Sequence, residues 1–248
     1  MSSLYDTYAT QTGSVELDHR ADVQRVAKHF RLRLLPTLPS DFELEKCRIF
    51  EFGAGWGRNL LAMAELGATD LCGIDISAEQ VAIGRQLGLR NLELIAPGSA
   101  PPSSITQSKF DIVLAIDVLE HLDLDSLYNF SRLVRNILSP NGLFIVQVPN
   151  ALAPFNPVTA GDLTHLRAFT SASLRQLFAL AGTEPIYIAG IPFPGQSPAH
   201  TIRACLTRGI VSPLIRLLSC VLYGRSNDPV QVEPNLLGLA RPRRDTNL

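Results

Sequence analysis

The sequence lacks most features that mark extracellular, membrane-spanning or nucleic-acid-coating proteins. None of its four cysteines forms a CxxC pair, so neither a disulfide framework nor a zinc site of that spacing is indicated. No run reaches the ~18 uninterrupted apolar residues of a membrane span, and residues 1–20 lack a basic segment followed by an apolar one. The formal net charge of −1 argues against binding nucleic acid by bulk positive charge. These absences predict a cytoplasmic protein with reduced thiols.

The sequence does contain enough apolar residues for a buried core. Hydrophobic residues make up 46% of the 248 residues and charged residues 18%. After residue 46, short apolar runs alternate with helix-like segments; the runs read CRIFEF, TDLCGIDI, NLELIA, FDIVLAI and LFIVQVP, the last preceded by a predicted SPNG turn. This alternation predicts an α/β fold with a parallel sheet and helices on both faces.

A glycine-rich loop follows the first apolar run. Gly53, Gly55 and Gly57 stand between that run and a predicted helix N-terminus. Glycine permits positive φ and close approach of the backbone, and a helix N-terminus offers free N–H groups, so the loop predicts a nucleotide-like ligand. A tight turn without a ligand is the alternative. Because Arg58 stands where G-x-G-x-x-G requires its third glycine, a nicotinamide-dependent oxidoreductase is disfavoured.

Two acidic residues narrow the choice of ligand. Glu51, two residues before the first glycine, would repel a pyrophosphate and attract an ammonium group. Asp75 closes the second apolar run, where an acidic side chain can bind two ribose hydroxyls, and Ile76 can pack on an adenine. A ligand with adenosine and an amino-acid tail is S-adenosylmethionine.

The successive motifs of this region resemble those of class I S-adenosylmethionine-dependent methyltransferases. FEFGAGWGRNL, GIDIS, FDIVLAIDVLEHL and LSPNGLFIVQVPN stand in the family's order and spacing. The resemblance implies a Rossmann-like fold whose seven-stranded, mostly parallel sheet has an antiparallel last strand. In place of the acidic residue that the family often has near the adenine amino group, this chain has a serine. The cofactor-binding residues implied are Glu51, Gly53, Ala54, Gly55, Gly57, Asp75, Ile76, Ser99 and Asp117.

We expect one domain in three consecutive parts. Residues 1–46 form an N-terminal helical segment, whose first fifteen residues are polar and expected to be loosely held. Residues 47–150 form the S-adenosylmethionine-binding core. Residues 151–248 form an acceptor-side half with a helical insertion and a final strand.

Candidate catalytic residues cluster in IDVLEHLD and in a later loop. If this turn is helical, Asp117, Glu120 and His121 face one side, and His165 can join them from GDLTHLRAF. Two carboxylates and two histidines suit Mg²⁺ or Mn²⁺. The segment resembles the E-x-x-E-H of small-RNA 2′-O-methyltransferases and ubiquinone-biosynthesis O-methyltransferases, with aspartate at its first position. The alternatives are a metal-free base at His121 or His165, with Asp117 in the catalytic set, and a turn without a catalytic part.

The second half carries the indications of the acceptor. Residues 148–182 resemble methyltransferases found with surface-polysaccharide and glycolipid biosynthesis, which implies O-methylation of a hydroxyl on a sugar or lipid-linked glycan. A quinone-type phenol, an RNA 3′ end and a catalytically silent S-adenosylmethionine-binding protein are the alternatives. RNA is disfavoured because the chain has no evident basic stripe.

An apolar and basic helical stretch, residues 200–223, has two interpretations. It can lie on a membrane surface near a lipid-linked acceptor, which would make the protein membrane-peripheral. It can instead pack on the domain or cover the acceptor pocket, and we favour this because core-facing amphipathic helices are commoner.

Overall fold

The structure is a computed structural model that describes residues 18–40, 42–155, 157–191, 202, 205–224 and 231–244. The prediction that residues 1–15 are loosely held therefore concerns residues outside the described ones. Part of the stretch at 200–223 also lies outside them.

One seven-stranded sheet organises the chain, in the order β3-β2-β1-β4-β5-β7-β6. Strands β1 to β5 pair in parallel, whereas β7 runs antiparallel to both β5 and β6. The predicted seven-stranded, mostly parallel sheet is thus confirmed. The strands are β1 Arg48–Phe52, β2 Asp70–Asp75, β3 Leu92–Leu94, β4 Phe110–Ile116, β5 Leu138–Pro149, β6 Thr183–Ile191 and β7 Asn235–Pro242.

Helices connect the strands, and polar side chains cap several of them. The Ser77 hydroxyl accepts from the Gln80 N–H, and Thr170 and Ser173 form a reciprocal capping box. The α-helices are α1 His19–Arg33, α2 Arg58–Glu65, α3 Ala78–Gln86, α4 Ser103–Thr106, α5 Leu124–Ile137, α6 Pro157–Ala160, α7 Ser171–Leu180 and α8 Ser212–Tyr223. Short 3₁₀ turns occur at Leu35–Thr37, Leu44–Lys46 and Leu119–His121, and a π-helical turn at Thr207–Val211.

The core has two apolar layers, one on each face of the sheet. Because side chains alternate along a strand, Ile49 of β1 enters the layer with α1 and α2, whereas its neighbour Phe50 enters the layer with α5 and α7. The first layer includes Leu60 of α2, and the second includes Phe178 of α7. Helices therefore cover both faces, as predicted.

Strand β5 begins earlier than the sequence predicts. Phe110 of β4 pairs with Leu138, and after a register shift Ile112 pairs with Leu143. The predicted SPNG turn lies within this irregularity, where extra residues on one strand interrupt regular pairing. The fifth strand thus starts directly where α5 ends.

Helix α8 does not pack against the domain through its apolar face. Leu214, Leu217 and Val221 are among its exposed side chains, so these residues do not pack on the domain as one half of the favoured interpretation expected. The other half, a stretch that covers the acceptor pocket, stays a prediction. Among the described residues, no helix is long and apolar enough to cross a membrane.

Candidate active site

The glycine loop lies between β1 and α2, at the carboxyl end of the sheet. Gly53, Gly55 and Gly57 have φ of +70°, +56° and +79°, in the left-handed region that favours glycine. The N–H groups of Gly53 and Ala54 both donate to the Ile74 carbonyl, at 2.9 and 3.0 Å. The loop is therefore fastened to the end of β2, beside Asp75.

Two of these glycines make room for protein side chains. A Cβ atom on Gly53 would lie 2.3 Å from Cγ2 of Val118, and one on Gly57 would lie 1.9 Å from Cδ1 of Leu89. A Cβ on Gly55 would meet only Gln80, at 3.4 Å. Close approach of a ligand therefore does not by itself account for the glycines, because packing against Val118 and Leu89 also requires glycine at 53 and 57.

Asp75 is held by the loop that it adjoins. Its carboxylate oxygens accept from the N–H groups of Gly55, at 2.7 Å, and Ser77, at 2.8 Å. Burial raises the pKa of Asp75, and the backbone hydrogen bonds act in the opposite direction. Each oxygen keeps a further lone pair, so the carboxylate can still accept from ribose hydroxyls. Ile76 is half-buried beside it.

Glu51 is the buried carboxyl group of the site. Glu51 has no exposed surface, and Nδ2 of Asn59 donates to its Oε1 at 2.6 Å. The other oxygen, Oε2, is buried and has no hydrogen-bond partner among the described residues. Burial raises the pKa of Glu51 to about 8, opposed by the hydrogen bond from Asn59 and the charge of Arg58. An unpartnered carboxylate oxygen beside the loop fits the ammonium group of the predicted cofactor.

Asn59 was missed by the sequence analysis. It is buried on the first turn of α2, eight residues after Glu51. The sequence did carry a sign of this role, because Asn59 is an amide among the apolar residues that follow the glycines.

Ser99 lies in an exposed turn after β3. Its hydroxyl donates to the Ala96 carbonyl at 2.6 Å, and its N–H reaches the same oxygen at 3.0 Å. The hydroxyl oxygen can still accept a hydrogen bond, so its predicted role toward adenine stays a prediction.

Asp117 follows β4 in an unusual backbone conformation. Its φ is +51°, which non-glycine residues rarely adopt and which recurs at functional sites. Gln147 Nε2 donates to both of its carboxylate oxygens. Part of the Asp117 surface is exposed, but the protein atoms around its carboxyl group exclude water and raise its pKa. The hydrogen bond from Gln147 lowers that pKa and so offsets part of the rise. Gln147 was also missed; the signal was one amide within the apolar run LFIVQVP.

Glu120, His121 and His165 come together as predicted, but Asp117 does not join them. Each of the three offers one potential ligand atom, and these atoms lie within 4.8 Å of one another. Oε1 of Glu120 is 3.7 Å from Nε2 of His165, and the two imidazole centroids are 4.6 Å apart. Asp117 is not in this group: Gln147 holds its carboxylate, although its charge still acts on Glu120. That Asp117 shares their face stays a prediction.

A hydrogen-bond chain orients His121. The Thr164 hydroxyl donates to Asp162 at 2.6 Å and lies 2.8 Å from Nδ1 of His121. The Thr164 hydroxyl has one proton, which it donates to Asp162, so it must accept a hydrogen bond from Nδ1–H of His121. Nε2 of His121 then has no proton, and its lone pair is available. The Leu166 N–H donates to the Glu120 carbonyl at 2.8 Å and fastens the loop to the turn. Thr164 and Asp162 were missed, although both stand in the GDLTHL segment.

The charges within this cluster are coupled. Burial, followed by the negative charge of Asp117, raises the pKa of Glu120 to about 8. Burial, followed by the charge of His165, lowers the pKa of His121. Burial therefore favours the neutral form of both Glu120 and His121. Oε2 of Glu120 and Nδ1 of His165 are buried without hydrogen-bond partners among the described residues.

Comparisons with known proteins agree with this geometry. A family model described as a methyltransferase domain matches residues 19–188. No curated protein matches the sequence. The fold is similar to a SAM-dependent methyltransferase from Archaeoglobus fulgidus, at 16% identity and a TM-score of 0.61, covering 88% of this chain and 93% of that one.

Two further solved structures share the fold. A possible histamine N-methyltransferase from Thermotoga maritima has 15% identity and a TM-score of 0.59, with 97% of this chain and 99% of that one covered. Magnesium protoporphyrin IX methyltransferase from Synechocystis has 14% identity and a TM-score of 0.51, with 91% and 84% covered.

The family match spans more than half of the chain, and the sheet order, the glycine loop and the two acidic residues agree with it. The chain therefore belongs to the methyltransferase-domain family and is a class I S-adenosylmethionine-dependent methyltransferase.

Proposed function

We propose that the chain transfers a methyl group from S-adenosylmethionine to a hydroxyl oxygen of a sugar or lipid-linked glycan. The hydroxyl acceptor is inferred from the cluster of Glu120, His121 and His165. Glu120 and His121 follow the same strand as Asp117, and His165 comes from the loop before α7. S-adenosylmethionine supplies an electrophilic methyl group on sulfur. The chain must position the acceptor oxygen and accept its proton.

The cofactor side of this proposal uses the residues at the ends of β1 and β2. Glu51 takes the ammonium group through Oε2, since Asn59 already occupies Oε1. Asp75 takes the ribose hydroxyls with the lone pairs that the Gly55 and Ser77 N–H groups leave free. The N–H groups at the start of α2 favour the cofactor carboxylate.

The base in this proposal is His121. Its lowered pKa keeps the imidazole neutral near pH 7, and the Thr164–Asp162 hydrogen bonds fix the ring with Nε2 available. When Nε2 accepts the acceptor proton, the imidazolium that forms is stabilised through Thr164 by the Asp162 carboxylate. The pKa of Asp162 is itself lowered, because hydrogen bonds from Thr164 outweigh the effect of burial.

A divalent cation is the second candidate for activating the hydroxyl. Glu120, His121 and His165 would hold Mg²⁺ or Mn²⁺, and the cation would lower the pKa of a bound hydroxyl as a Lewis acid. The buried, unpartnered Oε2 of Glu120 supports this donor set. Cation binding would displace the proton from Glu120, so affinity should rise as pH approaches the raised pKa of about 8.

Exposed apolar side chains near the cluster favour an acceptor with an apolar portion. Leu163 is fully exposed two residues before His165, and Phe155, which precedes α6, is also fully exposed. Leu152 and Leu166 are also exposed. A lipid-linked glycan offers the hydroxyl and the apolar portion together. A quinone-type phenol shares these features, so the experiment must separate the two.

The test is methyl transfer from labelled S-adenosylmethionine into a cell extract, followed by separation of soluble glycan, glycolipid, quinone, RNA and protein. We expect label in the glycan or glycolipid fraction. Label confined to the quinone or RNA fraction would overturn the acceptor while keeping the chemistry. No label, with cofactor binding confirmed by calorimetry, would indicate either a silent binding protein or an acceptor that the extract lacks, and would leave the glycan proposal without support.

Two variants make this test specific. His121→Gln should lose at least about a hundredfold in activity because the base or ligand is removed. His29→Gln, on α1, is the matched control and should retain activity. Treatment with a chelator, followed by Mn²⁺ addition, then separates the two mechanisms: unchanged activity after chelation excludes the cation.

A further inference from the structure

Helix α8 points its apolar face away from the domain. Leu214, Leu217, Leu218 and Val221 stand at helical spacing, and 55–74% of each residue is exposed. We call these four residues the outer face.

The opposite side of α8 is the one that approaches the protein. Ser212 is buried, and Ile215 and Ser219 are half-buried. A surface helix that covers a core shows the reverse arrangement, with its leucines inward and its serines outward. The outer face is therefore a contiguous apolar surface without a partner among the described residues.

We propose that the outer face inserts into the interfacial region of an anionic lipid membrane, so that the enzyme is a peripheral membrane protein. The helix would lie in the membrane plane, with its apolar side chains among the upper acyl chains.

Charge favours a lipid surface over a second copy of the chain. Residues 200–225 contain Arg203, Arg208, Arg216 and Arg225 and no acidic residue, although the whole chain has a net charge of −1. Anionic headgroups attract such a segment. Two copies meeting through it would bring arginines together without any carboxylate of the segment to compensate them.

The length of the helix favours lying on the membrane. Residues 205–223 are helical without a break, through the π-helical turn into α8, which corresponds to at most about 28 Å at the usual helical rise. Among the described residues, no helix is long and apolar enough to cross a hydrocarbon core ~30 Å thick. The geometry therefore indicates an in-plane helix.

This inference is independent of methyl transfer, although it would bring the active site to a surface that carries lipid-linked acceptors. Binding to vesicles needs no cofactor and no acceptor. Failure to bind vesicles would therefore overturn the membrane inference and leave the proposed hydroxyl acceptor to be judged by its own assay.

The experiment is flotation of the full-length protein with vesicles of phosphatidylcholine alone or of phosphatidylcholine mixed with phosphatidylglycerol. We expect the protein to float with the anionic vesicles at low salt. Binding to neutral vesicles, or at high salt, should be several-fold weaker, because the basic segment contributes electrostatic attraction. No flotation with anionic vesicles at low salt would overturn the proposal.

A matched pair of variants tests the surface itself. Leu217→Glu combined with Val221→Glu should reduce vesicle binding by at least about tenfold, since two apolar anchors are replaced by charges. Leu124→Glu is the control: Leu124 is 74% exposed, as Val221 is, and it begins α5, where an acidic residue suits the helix N-terminus. Equal binding by the double variant and the control would contradict the proposal.

The same proteins distinguish a second copy as the occupant. Light scattering should give a monomeric mass for wild type and variants alike in the absence of vesicles. A dimer that the double variant dissociates, together with no flotation of wild type, would assign the outer face to self-association instead. Unchanged thermal unfolding of the double variant would show that its fold is intact.

Discussion

Gln147 Nε2 donates to both carboxylate oxygens of Asp117, at 3.0 and 2.9 Å, while the Asp117 N–H donates to the Gln147 carbonyl at 3.0 Å. The two residues lie at the ends of neighbouring strands, where Ile116 of β4 pairs with Gln147 of β5. This double attachment holds Asp117 at φ +51° and directs its carboxylate.

Replacing Gln147 with leucine should release Asp117. We expect kcat/KM to fall by about tenfold to a hundredfold, because hydrogen bonds to a charged group contribute about 1.5–3 kcal/mol. Gln107→Leu, in an exposed position after α4, is the control and should leave kcat/KM unchanged. Steady-state kinetics of the three proteins checks this, and equal losses in both variants would show a nonspecific effect.

Gly53→Ala should destabilise the protein more than Gly98→Ala. Both glycines have similar φ, +70° and +74°, so both variants incur the ~1–2 kcal/mol cost of a side chain in the left-handed region. Only at Gly53 would the new Cβ collide with Val118, whereas nothing lies within 4 Å at Gly98. Overpacking should add about 1–3 kcal/mol at Gly53. Urea unfolding measures the difference, and equal destabilisation would contradict the close contact with Val118.

Glu51 should make the stability of the cofactor-free protein decrease with rising pH. Its pKa is about 8 in the folded protein, against an ordinary value of 4.5. Below pH 4.5 the carboxyl group is protonated in both states; between 4.5 and 8 the unfolded chain releases the proton that the folded protein retains. The free energy of unfolding therefore falls across this window, by at most about 1.4 kcal/mol per pH unit from this group.

The Glu51→Gln variant isolates this contribution. Its free energy of unfolding should exceed that of wild type by an amount that grows from pH 5 to pH 8. Glu120 contributes a slope of the same sign in both proteins, so the difference reports Glu51. The same variant should bind S-adenosylmethionine at least about tenfold more weakly, since the ammonium group loses a charged partner. A constant stability difference across the window would refute the raised pKa.

The thiols should fall into two classes of reactivity. Cys47 and Cys72 are buried, and burial raises their pKa to about 11 and about 12. Cys205 and Cys220 are exposed. Because the thiolate is the reactive form, a thiol reagent at pH 8 should modify Cys205 and Cys220 quickly and the buried pair only after unfolding. Mass spectrometry of the partly labelled protein checks the assignment, and rapid labelling of Cys72 in the native protein would contradict it.

The sequence predicted those features that depend on local pattern. β4 was predicted as the run FDIVLAI with the bounds that the structure has, because an uninterrupted apolar run between polar residues marks a buried strand. The Ser77 cap is also local, because a serine just before a helix readily accepts a hydrogen bond from the N–H three residues later.

Contacts that depend on register or orientation could not be predicted in this way. The partnership of Asp117 with Gln147 requires the alignment of β4 and β5, which contains a register shift. The contact of His121 with Thr164 joins residues 43 positions apart. For α8, the pattern defines an apolar face but does not say whether that face points inward or outward, and the structure has it outward.

The position of β7 has a consequence for how the chain folds during synthesis. β7 lies between β5 and β6, and Asn150 at the end of β5 donates to the carbonyls of Gln231 and Glu233 just before β7 begins. β6 is synthesised earlier than β7, yet among the described strands β7 is its only neighbour in the sheet. During synthesis β6 therefore lacks this partner until residues 235–242 leave the ribosome and pair between β5 and β6.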